Sequence, residues 1–291
     1  MTAGLAAVPA LLAAAVAARA AEGNEDITAV SARASKDYVR VKLANGSFQP
    51  EAYAFGEGGC YGGPTSGDSI DRLKFVDIAH IIAGPLAAQS YLPAKDPKKA
   101  RLVIMLYWGT TDVAGPVSTS DGYQVYQKAI QDYNALLKDD PNMARAVLNS
   151  GLMQAAMENK LRDHQDFTNS QLLGYDSEAL IGTEYGEGMR HTALHGHRDE
   201  LVEEIEDNRY FVVLMAYDFQ LLWKEKKHKL LWETRFSINQ RRNDFAKALP
   251  AMSRYASRYF GQDSHGLVRK PIPRGDVEVG DLKSLGAVPE K

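Results

Sequence analysis

One glutamate and three histidines lie close together in the sequence, at Glu187, His191, His195 and His197. Residues four apart share one face of an α-helix, which would bring the first three of these side chains together. Carboxylate oxygens and imidazole nitrogens are ligands of zinc and related transition metals. Glycines interrupt the stretch and disfavour that helix, so the pattern favours histidines in a solvated loop. A transition-metal site is the alternative.

A second concentration of unusual residues follows a strongly apolar run and comprises Trp108, Thr110 and Thr111. Ligands commonly bind at the ends of strands in α/β sheets. An aromatic side chain can form one wall of such a site, and threonine hydroxyls can supply hydrogen bonds. These residues therefore mark the place to look for a small ligand. The alternative, which the pattern favours, is that Trp108 fills the end of the sheet as a core residue.

The sequence carries no signature of a catalytic nucleophile. It has neither a Gly-x-Ser-x-Gly nor a Ser-x-x-Lys motif, and Cys60 is its only cysteine. That thiol is flanked by glycines with no partner histidine nearby, and a single cysteine excludes an internal disulfide. The glycines from Gly56 to Gly63 match neither nucleotide-binding fingerprint, so they indicate a flexible loop. Whether the protein is an enzyme stays open, and no cofactor is indicated.

Composition narrows the class of protein further. The 291 residues are 45% hydrophobic and 24% charged, which excludes a disordered chain. The formal charge of −3 gives no reason to expect a nucleic-acid partner. Residues 1–20 are rich in Ala and Leu and end in Ala18-Arg19-Ala20, which is typical of an export signal. No later run reaches the ~20 apolar residues of a membrane span. We expect a periplasmic or secreted protein.

Hydrophobic periodicity predicts the elements that position these residues. Alternation over residues 37–43 indicates a strand with Val39, Val41 and Leu43 buried, and Asn45-Gly46 indicates a hairpin turn. Further along, the patterns predict helices at 70–91, 122–138, 143–164 and 243–260, and strands at 101–108, 209–219 and 229–238. The order predicts one α/β (α+β) domain. Its sheet would be mixed and largely antiparallel, with helices packed on it and a helical excursion at about 121–180.

The helical excursion carries an apolar stripe with helical spacing. Its members include Val147, Met153, Met157 and Leu161. Stripes of this kind pack into a core or against a partner helix, and the first is the more common outcome. We therefore expect these side chains to be buried.

The same patterns divide the chain into four parts. Residues 1–20 form a signal peptide, 21–36 a linker, 37–266 a single α/β domain and 267–291 an extended tail. The tail contains prolines and a glycine and is expected to pack loosely.

The stretch from Ile81 to Thr111 (IIAGPLAAQSYLPAKDPKKARLVIMLYWGTT) resembles a pattern in exported bacterial α/β proteins. There a helix and an Asp-Pro turn lead to a buried strand that ends in glycine. The later segment Leu231-Trp232-Glu233-Thr234-Arg235 is similar to the second half of that pattern. The resemblance covers about a third of the chain and implies an uncharacterised periplasmic or outer-membrane-associated protein. It implies no catalytic residues, and the lipidated cysteine of many such proteins is missing here.

Together these observations predict a non-catalytic exported protein. It would bind another envelope protein through an edge of its sheet or through the helical excursion. Two alternatives remain from the residues themselves. One is a metal-dependent hydrolase that uses the Glu187 to His197 cluster, and the other is a small-ligand-binding protein that uses the Trp108 to Thr111 region. The oligomeric state is not predicted.

Overall fold

The computed structural model describes residues 26–62, 69–113, 115, 117–175, 201, 204–241 and 243–272. The strands in these ranges are β1 (Asp26–Ala34), β2 (Glu51–Tyr61), β3 (Tyr91–Pro93), β4 (Leu102–Thr110), β5 (Arg209–Asp218), β6 (Leu230–Asn239) and β7 (Leu267–Ile272). The helices in these ranges are α1 (Phe75–Ala88), α2 (Asp121–Leu136), α3 (Pro141–Leu173), α4 (Phe219–Glu225) and α5 (Phe245–Ala256).

The described strands form one mixed sheet in the order β3-β2-β4-β5-β6-β1-β7. Strand β2 runs parallel to both of its neighbours, β3 and β4. All other pairs of neighbouring strands in the sheet are antiparallel. The predicted fold class, a mixed and largely antiparallel sheet with packed helices, is confirmed.

Helices α1 and α5 cover one face of the sheet, which we call the first face. The alternate residues Ile104, Leu106 and Trp108 of β4 point into this layer because successive side chains of a strand alternate between faces. They meet apolar side chains of α1 and α5, which are buried at helical spacing. Trp232 and Phe236 of β6 complete this main core.

The opposite, second face of the sheet is only partly covered. Phe211 and Val213 of β5 form a smaller cluster there with Leu173 and Tyr175, which lie at the end of α3. Four side chains on this face, Met105, Tyr107, Met215 and Tyr217, are half-buried. The long helix α3 therefore contacts the sheet mainly through its C-terminal end.

Two segments predicted to lie outside the folded domain form strands. Part of the predicted linker 21–36 is β1, which pairs with both β6 and β7. The predicted tail 267–291 begins with β7 at the edge of the sheet. Side chains on both faces of β1 are buried, and many of them are small or polar, such as Thr28, Ala29 and Ser31. These types give little hydrophobic contrast, and the sequence pattern therefore missed the strand.

The predicted strand at 37–43 is wrong in both pairing and orientation. Its connection to the next segment is an isolated bridge between Lys42 and Phe48. The Asn45-Gly46 turn is present, with the amide of Leu43 donating to the carbonyl of Ser47 at 2.7 Å. However, Val39 is 77% exposed, whereas Tyr38 and Arg40 are buried. The inward side chains make polar and ring contacts, which apolar alternation cannot reveal.

The glycine-rich stretch beginning at Gly56 does not start as a loop. Residues up to Tyr61 belong to β2, with a bulge between Glu57 and Gly59. A β-carbon at Gly56 or Gly58 would collide with side chains of the neighbouring strand β4. Glycine is required there because these side chains occupy the space above the backbone.

Candidate functional site

The helical excursion is an antiparallel hairpin of α2 and α3, and its ends are set by local capping. The Ser120 hydroxyl accepts a hydrogen bond from the amide of Tyr123 at 3.1 Å and begins α2. Asp140 accepts from the amides of Asn142 and Met143, and Pro141 occupies the first turn of α3. Helix α3 spans 33 residues, which corresponds to about 50 Å.

The two helices of the hairpin approach each other through small residues. Gly151 of α3 faces Ala129 of α2 so closely that a β-carbon on the glycine would collide with the alanine. Ala144 of α3 is also fully buried. At the open end of the hairpin, Glu158 accepts a hydrogen bond from the amide of Gly122. Small residues therefore allow the close approach of the two helices at this point.

Those large side chains lie on the opposite side of α3 and are exposed. Met153, Met157 and Leu161 are 66%, 64% and 71% exposed, and Met143 on the same face is 54% exposed. Val147, in contrast, is half-buried. The prediction that this stripe packs in the core is wrong for Met153, Met157 and Leu161. We call Met143, Met153, Met157 and Leu161 the apolar stripe.

A separate groove lies between α2 and α3. It encloses about 380 Å³ and is lined by Ser120, Gly122, Tyr123, Tyr126, Leu152, Ala155, Ala156, Glu158 and Asn159. Tyr123 and Leu152 remain substantially exposed at its rim. Leu152 and Ala155 project from a different side of α3 than Met153 and Met157, so the groove and the apolar stripe are separate surfaces.

The predicted ligand residues all have structural contacts at the end of β4. Trp108 is buried in the main core and stacks on Phe75 with ring centroids 6.5 Å apart. Thr110 is buried, and a β-carbon at Gly62 would collide with its side chain. The Thr111 hydroxyl donates to the Asp207 carbonyl at 3.2 Å and accepts from the Arg209 amide at 2.9 Å. A ligand role for these residues stays a prediction.

A polar cleft that the sequence analysis did not identify lies at the same end of the sheet. Thr110 of β4 is the register partner of Tyr210 of β5, which lines the cleft. The other lining residues come from the segments before α1, β5 and α5 and from the end of β6. The sequence feature that could have indicated this cleft is the polar run Asn239-Gln240-Arg241 at the end of a buried strand.

Cys60 lacks the environment of a reactive thiol. Partial burial and the nearby Asp71 carboxylate raise the pKa of this thiol. Nucleophilic cysteines have the opposite shift, because the thiolate is the reacting form.

The predicted metal ligands Glu187, His191, His195 and His197 lie outside the described residues, and the metal-site alternative stays a prediction. Within the described ranges, no group of three or more His, Cys, Asp or Glu side chains is arranged to hold a metal ion. None of the helices described above has the length and hydropathy that a membrane span requires.

Comparison with known proteins does not place the chain in a family. No family model matches, and no curated protein matches. Among solved structures, a PDZ domain protein from Parabacteroides distasonis aligns with 89% of this chain at 12% sequence identity and a TM-score of 0.37. The chain spans 42% of that protein. Similarity at this level carries no argument about function.

Proposed function

We propose that this chain is an exported, non-catalytic protein of the bacterial envelope that binds a partner protein through the α2–α3 hairpin. The apolar stripe of α3 is the observation that supports the proposal. Met143, Met153, Met157 and Leu161 are more than half exposed on the side of α3 that faces away from α2. Exposed apolar patches of this kind mark sites of protein interaction.

Among the described residues, the stripe belongs to neither of the two core clusters. Helices α1 and α5 already cover the first face of the sheet, and the hairpin closes through Gly151 and Ala129. The described part of the fold leaves more than half of each side chain of the stripe exposed. Burying them on a partner would contribute on the order of 5 kcal/mol in total, because each keeps more than half of its surface in water.

The shape of the surface favours an α-helix as the partner's binding element. Met153, Met157 and Leu161 follow one another at intervals of four residues and form a ridge along α3. An amphipathic helix fits such a surface, and methionine side chains adapt readily to a partner's apolar face.

The sheet edge is the less suitable of the two predicted binding surfaces. Beyond Tyr53, the described part of β2 pairs only with β4, which leaves its other edge open. The bulge at Glu57 and Gly59 and the negative charge of Glu57 are features that protect open edges from pairing. The hairpin has no comparable protection.

Site-specific photo-cross-linking in the source bacterium tests the proposal. A photoreactive amino acid replaces Met157 in one variant and Lys247, an exposed residue of α5, in a control variant. We expect the first to yield a discrete adduct with another envelope protein and the second to yield none. No adduct from position 157, equal adducts from both positions, or an adduct of two copies of this chain would each contradict the proposal.

A further inference from the structure

The polar cleft at the end of the sheet has the size of a small-molecule site. It encloses about 610 Å³, within the range of roughly 300–1,000 Å³ that ligand pockets occupy. Its lining residues are Ser69, Arg72, Asp207, Asn208, Tyr210, Asn239, Gln240, Arg241, Asn243 and Asp244. It lies beside the sheet and α5, separate from the α2–α3 hairpin.

Two buried hydroxyl groups line the cleft. Together they have two donor hydrogens, and only one of these is used in the hydrogen bond between them. Ser69 and Tyr210 are 7% and 2% exposed. Their oxygens lie 2.8 Å apart, and the Ser69 oxygen also accepts from the amide of Phe245 at 3.2 Å. One hydroxyl hydrogen bonds the other oxygen, so the second has no acceptor among the described residues. Because a buried donor without an acceptor is unfavourable, an oxygen atom in the cleft would stabilise this arrangement.

Charged side chains of both signs surround these hydroxyls. Arg72 pairs with Asp244 at 2.6 Å, and the Asp207 carboxylate accepts from the Asn239 amide group at 2.8 Å. The Arg241 guanidinium is exposed and makes no side-chain contact within the described part of the chain. The four charged residues lining the cleft sum to zero, with two positive and two negative side chains.

We propose that this cleft binds a small molecule that carries a carboxylate together with a hydrogen-bond donor, as amino acids and hydroxy acids do. A carboxylate oxygen takes the spare hydroxyl hydrogen at Ser69 and Tyr210, and Arg241 supplies the opposing positive charge. The ligand's ammonium or hydroxyl group donates to Asp207, which keeps accepting positions beyond its bond with Asn239. The absence of net charge in the lining matches a zwitterionic amino acid better than an anionic hydroxy acid.

Titration of the full chain with the standard L-amino acids and with lactate, malate and citrate tests the inference. Binding is followed by backbone amide NMR signals. We expect at least one compound to shift the signals of Tyr210 and Phe245, because both amides belong to residues at the buried hydroxyls. The analogue in which the carboxylate is replaced by an amide should bind at least ~10-fold more weakly.

Two variants identify the side chains that bind the ligand. Arg241→Gln removes the positive charge at the cleft and should raise the Kd at least ~10-fold. Arg254→Gln removes an exposed arginine from the surface of α5 and should leave the Kd unchanged. Both substitutions are at exposed positions, and their thermal unfolding should match that of the parent chain.

Three results would overturn the inference. The first is that no compound in the set binds at millimolar concentration. The second is that shifts are confined to Arg241 while Tyr210 and Phe245 do not respond. The third is that Arg254→Gln weakens binding as much as Arg241→Gln. Each is independent of the cross-linking result at the hairpin, since the two surfaces share no residue.

Discussion

The sheet body and the α2–α3 hairpin contain similar apolar residues at similar spacing but place them differently. In α5, Leu249, Met252 and Ala256 recur at helical spacing and are fully buried. In α3, Met153 and Met157 recur at the same kind of spacing and are mostly exposed. The periodicity defines an apolar face in each helix, but only the position of the helix in the fold decides what that face contacts.

The same contrast holds for charged residues. Arg40 and Glu51 are buried at the β3 edge of the sheet, where the Arg40 guanidinium lies between the rings of Phe48 and Tyr91 at 4.0 and 4.1 Å. Arg72 and Asp244 form a shorter ion pair in the cleft, but Arg72 is largely exposed. Buried residues of either type stabilise the fold, and exposed ones are available to other molecules.

The largest expected effect is the removal of a core side chain. Trp232→Ala should lower the free energy of unfolding by about 4 kcal/mol, because Trp232 is fully buried against Phe260 and Tyr91. Urea denaturation measures the change. Trp223→Ala is the matched control, since that ring is 53% exposed. An equal loss of unfolding free energy in the two variants would contradict the distinction between buried and exposed side chains.

The next effect concerns the buried ion pair. Arg40→Met should lower the free energy of unfolding by about 3 kcal/mol, because it removes the buried cation beside Glu51 and leaves that carboxylate with Arg101, whose side chain is 61% exposed. Arg72→Met removes one partner of the exposed pair with Asp244 and should lower it by less than ~1 kcal/mol. Equal losses in the two variants, measured by the same denaturation, would remove the distinction between these regions.

A smaller effect tests how the hairpin closes. Gly151→Ala should destabilise the protein by about 1 kcal/mol, because the new methyl group separates α3 from Ala129. Ser150→Ala, at the exposed neighbouring position of α3, should instead stabilise it by about 0.5 kcal/mol, since alanine favours the helix. Thermal unfolding of both variants gives the sign directly. A gain in stability at Gly151 would show that the helices are not in close contact.

Substitution of the apolar stripe should have the smallest effect on stability. Met153→Ser together with Leu161→Ser should change the free energy of unfolding by less than ~0.5 kcal/mol per site, because both side chains are mostly in water. A large loss, measured by urea denaturation, would mean that the stripe is part of the folded core.

The strongly apolar elements were predictable because a continuous or periodic apolar pattern is compatible only with a buried element. The run that became β4 and the helix that became α5 are buried as predicted. Strand β1 was missed because Thr28 and Ser31 are buried without being apolar. The orientation of residues 38–40 was predicted in reverse because Tyr38 and Arg40 are buried through hydrogen bonds and ring contacts.

The candidate surfaces were harder to predict than the fold. Exposure of Met157 depends on Gly151, which lets two helices pack through small residues while the methionines face outward. The polar cleft collects residues as far apart in sequence as Ser69 and Tyr210, and no local pattern connects them. The end of β4 was identified as a place for a ligand, but the cleft beside it is lined by side chains other than Trp108, Thr110 and Thr111.

The most direct test of the proposed role is the cross-linking yield at position 157 when the rest of the stripe is altered. The photoreactive residue at Met157 is combined with Met153→Ser and Leu161→Ser, and the yield in cells is compared with that of the single replacement. If the apolar stripe binds the partner protein, the yield of the adduct should fall at least ~10-fold while the thermal stability stays unchanged. An undiminished yield would contradict this account, because the partner would then be bound without the apolar stripe.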